Sequence, residues 1–86
     1  VIFIGLGFRS ANVQGADFRK AILRGAYLDF ADFSSTDLRG ADLGRDSYDG
    51  LTTIEGTNFS GAKYDSCTIL PEGLKPESQG MIYCEN

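Results

Sequence analysis

A bulky apolar residue returns at every fifth place along this chain. In blocks of five from the first residue, the third position is Phe3, Phe8, Val13, Phe18, Leu23, Leu28, Phe33, Leu38, Leu43 and Tyr48. One added residue near Leu51 shifts the frame, which resumes at Ile54, Phe59, Tyr64 and Ile69. A period of five suits neither a helix, with its repeat near 3.6, nor a plain strand, with its repeat of two. It suits a chain that turns a corner after each short extended piece and sends one large side chain toward a central axis. Tyr48 sits in the disturbed block; the other thirteen are expected to form the core stack.

The remaining positions agree with that reading. Every alanine, at 11, 16, 21, 26, 31, 41 and 62, opens a block. Thr36, Thr52, Thr57 and Cys67 are the small substitutes, expected to point inward where nothing larger fits. Glycine closes the blocks at 5, 15, 25, 40, 50, 56 and 61, where a corner calls for positive φ. Charges gather at the second and fourth positions, as in Asp17, Arg19, Asp37 and Arg39. The fold class expected is all-β, with coils stacked at the spacing of a β-ladder, about 4.8 Å.

Blocks such as Ala16-Asp17-Phe18-Arg19-Lys20 and Ala41-Asp42-Leu43-Gly44-Arg45 resemble the pentapeptide-repeat family over residues 1–71. The resemblance implies a right-handed quadrilateral β-helix, a solenoid with four blocks per coil. That gives about three and a half coils and a rod of roughly 15–20 Å. Residues 1–71 would form the solenoid and residues 72–86 a C-terminal capping tail. Asp46 departs from the pattern, because it falls on an inward small position where an unpaired carboxylate is costly. Residues 44–52 are therefore expected to hold the one-residue insertion as a bulged corner that swings Asp46 toward solvent. Val1 and Leu6 are oversized for their positions and are expected to mark an edge coil. The opening Val1-Ile2-Phe3-Ile4 reads as structured chain trimmed from a longer precursor.

The segment from Thr68 to Glu77, followed by Gly80-Met81, resembles the tail of cyanobacterial and plastid family members, including those of the thylakoid lumen. A solenoid must cover its last coil, and Leu74, Met81, Ile82 and Tyr83 are the candidates. Pro76 can open a helical turn. Cys67 and Cys84 are brought toward the same end. A bridge between them would contribute about 3 kcal/mol and imply an oxidising compartment, a thylakoid lumen or periplasm. The alternative is two unpaired thiols, compatible with a cytoplasmic location.

Function is constrained mainly by what the chain lacks. It has no histidine, so Ser-His catalysis and histidine metal sites are ruled out. No cofactor is expected. A net charge of −4 argues against nucleic acid and anionic membranes as ligands. No apolar run approaches the ~20 residues that cross a bilayer. Gly5-Leu6-Gly7 lacks the strand, third glycine and helix of a dinucleotide site, and Asn58-Phe59-Ser60 is an ordinary block. Residues 1–45 carry six cations and five carboxylates, whereas residues 46–86 carry two and seven.

Ile2, Ile4 and Ile22 break the outward-polar rule on one expected face, and Tyr27 and Phe30 on the next. Such a cluster is a candidate partner interface, and the N-terminal coil offers a further place for stacking or docking. The function expected is a non-catalytic structural or interaction module with a protein partner, an accessory component on a larger photosynthetic or lumenal complex. The alternative is a DNA mimic that inhibits or protects a type II topoisomerase such as gyrase. That role wants an acidic stripe, and here each aspartate column is flanked by arginine.

Overall fold

In the computed structural model, which describes residues 2, 4–5, 7–48 and 50–85, the chain winds as a coil of short extended pieces. The block Ala31–Ser35 shows how each backbone N–H is satisfied. Ala31 closes a turn on the Leu28 carbonyl at 3.0 Å. Asp32 donates back to Ala11 at 2.8 Å, and Phe33 donates forward to Asn58 at 2.8 Å. Ser34 donates to the Asp32 side chain at 3.0 Å, and Ser35 donates to Ser60 at 2.9 Å. All five donors are thus paired without a long strand. Position two favours Asp or Asn for this reason: Asn12, Asp17, Asp37, Asp42 and Asn58 bond the N–H two residues on in the same way.

Parallel bridges join the coils into four ladders: Ile2–Ile22–Asp42–Ile69, Gly7–Tyr27–Thr53, Asn12–Asp32–Asn58 and Asp17–Asp37–Lys63. The last ladder is extended by the one pair of regular strands among the described residues, β1 (Lys63–Tyr64) and β2 (Ile82–Tyr83), in parallel register. In the first two coils the paired residues lie twenty apart. The molecule measures 31 × 25 × 23 Å.

The core lies along the axis. Phe18, Leu23, Leu28, Phe33, Leu38, Leu43 and Phe59 are buried, with Ala21, Ala26, Ala31, Ala41 and Ala62 beside them. Phe8, Val13 and Ile54 are partly buried against that cluster, and Tyr64 is half-buried. Phe3, like Val1 and Leu6, lies outside the described residues. Where threonine replaces alanine, its hydroxyl is bonded to a carbonyl, as from Thr36 to Phe33 and from Thr57 to Leu28.

Two features of the register differ from the sequence reading. Tyr27 pairs with Thr53 and Asp32 with Asn58, offsets of 26 in place of 20. The offset leaves six extra residues between Arg45 and Thr52, where the sequence reading has one. Asp46 closes this loop on itself: its N–H bonds Gly50 O at 3.0 Å, and its Oδ1 accepts from Tyr48 and Gly50. The Asp46 carboxylate packs against Gly25 and Gly50, where an added Cβ would sit 2.6 Å from its Oδ2. Tyr48, at the tip, is 92% exposed.

A second slip follows Asp65. Ile69 pairs with Asp42, so it occupies an outward second position and is 53% exposed; it is not part of the core stack. Thr68 takes the small slot, its hydroxyl donating to the Leu38 carbonyl at 2.9 Å, and Leu70 is half-buried beside it. Cys67, expected inward, is exposed, and both cysteines are free thiols. The extra residue is accommodated because the Asp65 side chain stands in for a backbone carbonyl, accepting from Gly40 N at 3.1 Å.

The tail crosses the coil end through a 3-10 helix, Pro76–Gln79, which ends on Gly80 at φ 72°. Leu74 and Met81 pack onto the core. Ile82 and Tyr83, expected to cover it as well, remain about half exposed, because they continue the fourth ladder along the side of the coil.

If the 46–51 loop lies outside the coil, excising it and joining Arg45 to Thr52 restores an ordinary corner. Urea unfolding is expected to stay cooperative, with a free energy changed by no more than about 1 kcal/mol. Loss of cooperative unfolding would contradict this register.

Candidate protein-binding surface

The five expected interface residues lie on two ladders that are consecutive along the chain. Ile2 (66% exposed), Ile4 and half-buried Ile22 stand on the first. Tyr27 stands on the second, and Phe30 on the corner that follows it, both exposed. The structure adds Ile69 to the first ladder and places Tyr48 and Leu51, also exposed, on the loop that leaves the coil between the two.

Local geometry fixes these groups. Phe30 adopts φ 59°, as do Ser10, Lys20 and Ser35 at nearly the same angle. Its ring lies over Gly56 in the next coil, where an added Cβ would meet the ring at 2.5 Å; Gly56, itself at φ 67°, is the residue that leaves room. Arg9 stacks on the Tyr27 ring at 4.7 Å and reaches Asp29 at 3.5 Å. Asp29 also accepts from the Thr53 hydroxyl. Arg9 is thereby partly neutralised, and the aromatic surface is held by its neighbours.

The third ladder and the Asp17–Asp37–Lys63 part of the fourth are polar, and Ile82 and Tyr83 follow where β2 extends the fourth. Asn12, Asp32 and Asn58 line the third. On the fourth, Arg19 grips Asp17 with two bonds of 3.0 and 2.8 Å, and Arg39 grips Asp37 with bonds of 2.8 and 2.6 Å. An open groove of about 330 Å³ beside this ladder is lined by Arg19, Lys20, Arg39, Gly40, Asp65 and Cys67. Its arginines are already committed to Asp17 and Asp37. Among the described residues no cluster of three Asp, Glu or Cys is placed to hold a metal ion, and no helix is long and apolar enough to cross a membrane.

The same pairings predict an acid response. The Arg19 hydrogen bonds hold the Asp17 carboxyl down at about 2. Asp37 is lowered chiefly by Arg39, Asp29 by the Thr53 hydroxyl and Asp32 by the Ser34 hydroxyl. Folded values below the unfolded value, about 3.9, mean that this stabilisation is complete above pH ~4 and is lost as the pH falls toward 2. The thermal midpoint is expected to fall below pH 4, and to fall less steeply in Asp17→Asn/Asp37→Asn. Equal slopes in the two proteins would contradict the assignment.

Sequence reasoning missed Tyr48, Leu51 and Ile69 as outward groups. The signals were present: Asp46 at an inward position marks 46–50 as a block that does not fit the coil. Thr68 and Leu70 form a small-then-large pair one residue out of frame.

The family model for pentapeptide repeats matches residues 8–45 in eight copies. The chain carries a run of pentapeptide repeats. Its fold is shared with alr5209, a pentapeptide repeat protein from Nostoc Pcc 7120, at a TM-score of 0.59 and 20% sequence identity, covering 98% of this chain and 77% of that one. No curated protein sequence matches the chain. Pentapeptide-repeat proteins are generally non-enzymatic interaction modules, built as β-helix solenoids. The similarity of the tail to thylakoid-lumen members is not reflected in these matches, and the free thiols give no support for a bridge.

Proposed function

We propose that this protein is a non-catalytic docking module, a right-handed quadrilateral coil that holds an accessory place on a larger protein complex. The observation that carries the reading is the segregation of its surface. Ile2, Ile4, Tyr27, Phe30, Tyr48, Leu51 and Ile69 are exposed on two neighbouring ladders and their connecting loop, while among the described residues the other exposed large apolar groups are Ile82 and Tyr83 in the tail. Tyrosine and phenylalanine on a rigid support are suited to act as interface anchors, because little conformational freedom is lost when they are buried.

The DNA-mimic alternative is disfavoured by the same geometry. A DNA-like surface needs a continuous run of open carboxylates, and here Asp17 and Asp37 are each covered by an arginine fork.

The test is photo-crosslinking in source cells with a benzoylphenylalanine placed at Tyr27 or Phe30. Adducts with a second protein are expected from these positions and not from Asn12 on the polar side. Equal labelling from all three, or none, would count against the reading.

A further inference from the structure

We propose that a second copy of this chain docks on the isoleucine ladder, with the two copies antiparallel about a twofold axis, so that Arg24 of each faces Asp42 of the other. This rests on the reading of the protein as an interaction module and names one partner for one of its faces.

The order of groups along the ladder carries the inference. From the N-terminal coil the outward second positions run Ile2, Ile22, Asp42, Ile69. The outward fourth positions of the first three blocks are Ile4, Arg24 and Gly44. The face is apolar at both ends, with one cation and one carboxylate side by side in the middle. Reversed end for end, it becomes its own complement. Ile2 and Ile4 of one copy meet Ile69 of the other, and the Arg24 rung meets the Asp42 rung. Gly44 carries no side chain, so it leaves room for the opposing arginine.

Arg24 is poorly served within its own chain. Its Nε is buried without a hydrogen-bond partner, and the nearest Asp42 oxygen, Oδ2, lies 3.6 Å away. Asp42 Oδ1 is already committed to the Gly44 N–H at 2.9 Å. The pair is thus joined by charge without a hydrogen bond, and both side chains remain partly open to a partner, Arg24 at 39% and Asp42 at 29%. Twofold contacts are self-complementary by construction, and like charges opposed across an interface are penalised. A parallel pairing would set Arg24 against Arg24, so the charges select the antiparallel one. Because the central charges cancel, the face does not call for an acidic or a basic partner. Four rungs at ~4.8 Å, one block wide, cover roughly 400 Å² per copy. That is about 800 Å² in total, below the standard range and the size of a weak, transient contact, so the dimer forms only at high concentration.

Sedimentation of the purified chain from about 5 to about 500 µM tests this. The mass is expected to rise from 9.3 kDa toward twice that value. Ile22→Glu is expected to stay monomeric with an unchanged thermal midpoint. Arg24→Asp and Asp42→Arg are each expected to be monomeric alone and to dimerise when mixed, because each then supplies the charge the other needs. A wild-type chain of constant mass, a dimer that survives Ile22→Glu, or a mixture no heavier than its parts would overturn the proposal. Should Asp42→Arg fail to fold, Arg24→Asp and Asp42→Asn, which keeps the oxygen that caps Gly44, carry the test. Dimerisation undiminished in both would overturn it. Crosslinks from Tyr27 and Phe30 to another protein do not depend on this face, so their presence in a monomeric chain separates failure of the dimer from failure of the docking function.

Discussion

Phe33→Ala is expected to destabilise the protein by about 3–5 kcal/mol, the range for deleting a fully buried aromatic side chain. Phe33 has no exposed surface and is the hub of the aromatic core. It stacks on Phe18 at 5.3 Å, meets Phe8 edge-on at 6.0 Å and lies tilted against Phe59 at 5.8 Å. These rings come from three successive coils, so the cavity would open between coils that are held apart by fixed ladder bonds and cannot collapse onto it. Domains of this size are stable by only about 5–15 kcal/mol, so the loss is a large share of the whole. For a chain of this length it corresponds to a fall in midpoint of roughly 15 °C or more. Tyr48→Ala, at the loop tip, is the control and is expected to cost less than about 0.5 kcal/mol. Urea unfolding monitored by circular dichroism measures both, and similar costs would mean that the register is wrong.

Asp65→Ala is expected to cost about 2–4 kcal/mol, although a single exposed-looking aspartate is removed from an acidic chain. Asp65 is buried. Its Oδ1 accepts from the N–H groups of Gly40 and Cys67 at 3.1 and 3.0 Å and lies 3.1 Å from the Thr68 hydroxyl. Elsewhere the N–H at the fifth position of a block finds a carbonyl in the next coil, as Ser35 finds Ser60. At Gly40 the inserted residue has displaced that carbonyl, and the carboxylate replaces it. Truncation leaves the Cys67 donor without this partner and Gly40 with only Thr68. Asp65→Asn keeps an oxygen in place and is expected to cost about 1 kcal/mol. A cost below about 0.5 kcal/mol for the alanine variant would show that the second slip is not held by this side chain.

The part of the fold that was legible in the sequence is the part that repeats. A large residue between two corners can be read from one block, because burial of Leu23 or Phe33 depends only on its place within five residues. Insertions obey a different logic. Whether 46–50 is a detour or a coil block is settled by which carbonyl Leu28 meets, 19 or 25 residues ahead, and the local pattern carries only one sign of that choice. Asp46 was the local clue, since it would have to be buried unpaired if its block lay in the coil. The same applies to Ile69 and Cys67: one added residue exchanges inside and outside for everything that follows. In the binding surface, the outward isoleucines were visible as violations of the polar rule. The Arg24–Asp42 juxtaposition needed the ladder partners, because it joins residues one coil apart.

The capping carboxylates at position two show a further limit. Their charge suggested a solvated face, but Asp32 and Asp37 spend an oxygen on the backbone. The polar residue at position two supplies the acceptor for the one N–H in the block that finds no backbone carbonyl, as Asp32 does for Ser34.

The most direct test is a scalar coupling measured by NMR across the hydrogen bond donated by the Leu28 amide. Coupling to the Thr53 carbonyl, 2.8 Å away, is the result expected if six residues leave the coil. Coupling to the Ser47 carbonyl would return the loop to the ladder and contradict the register from which the exposed surface is built.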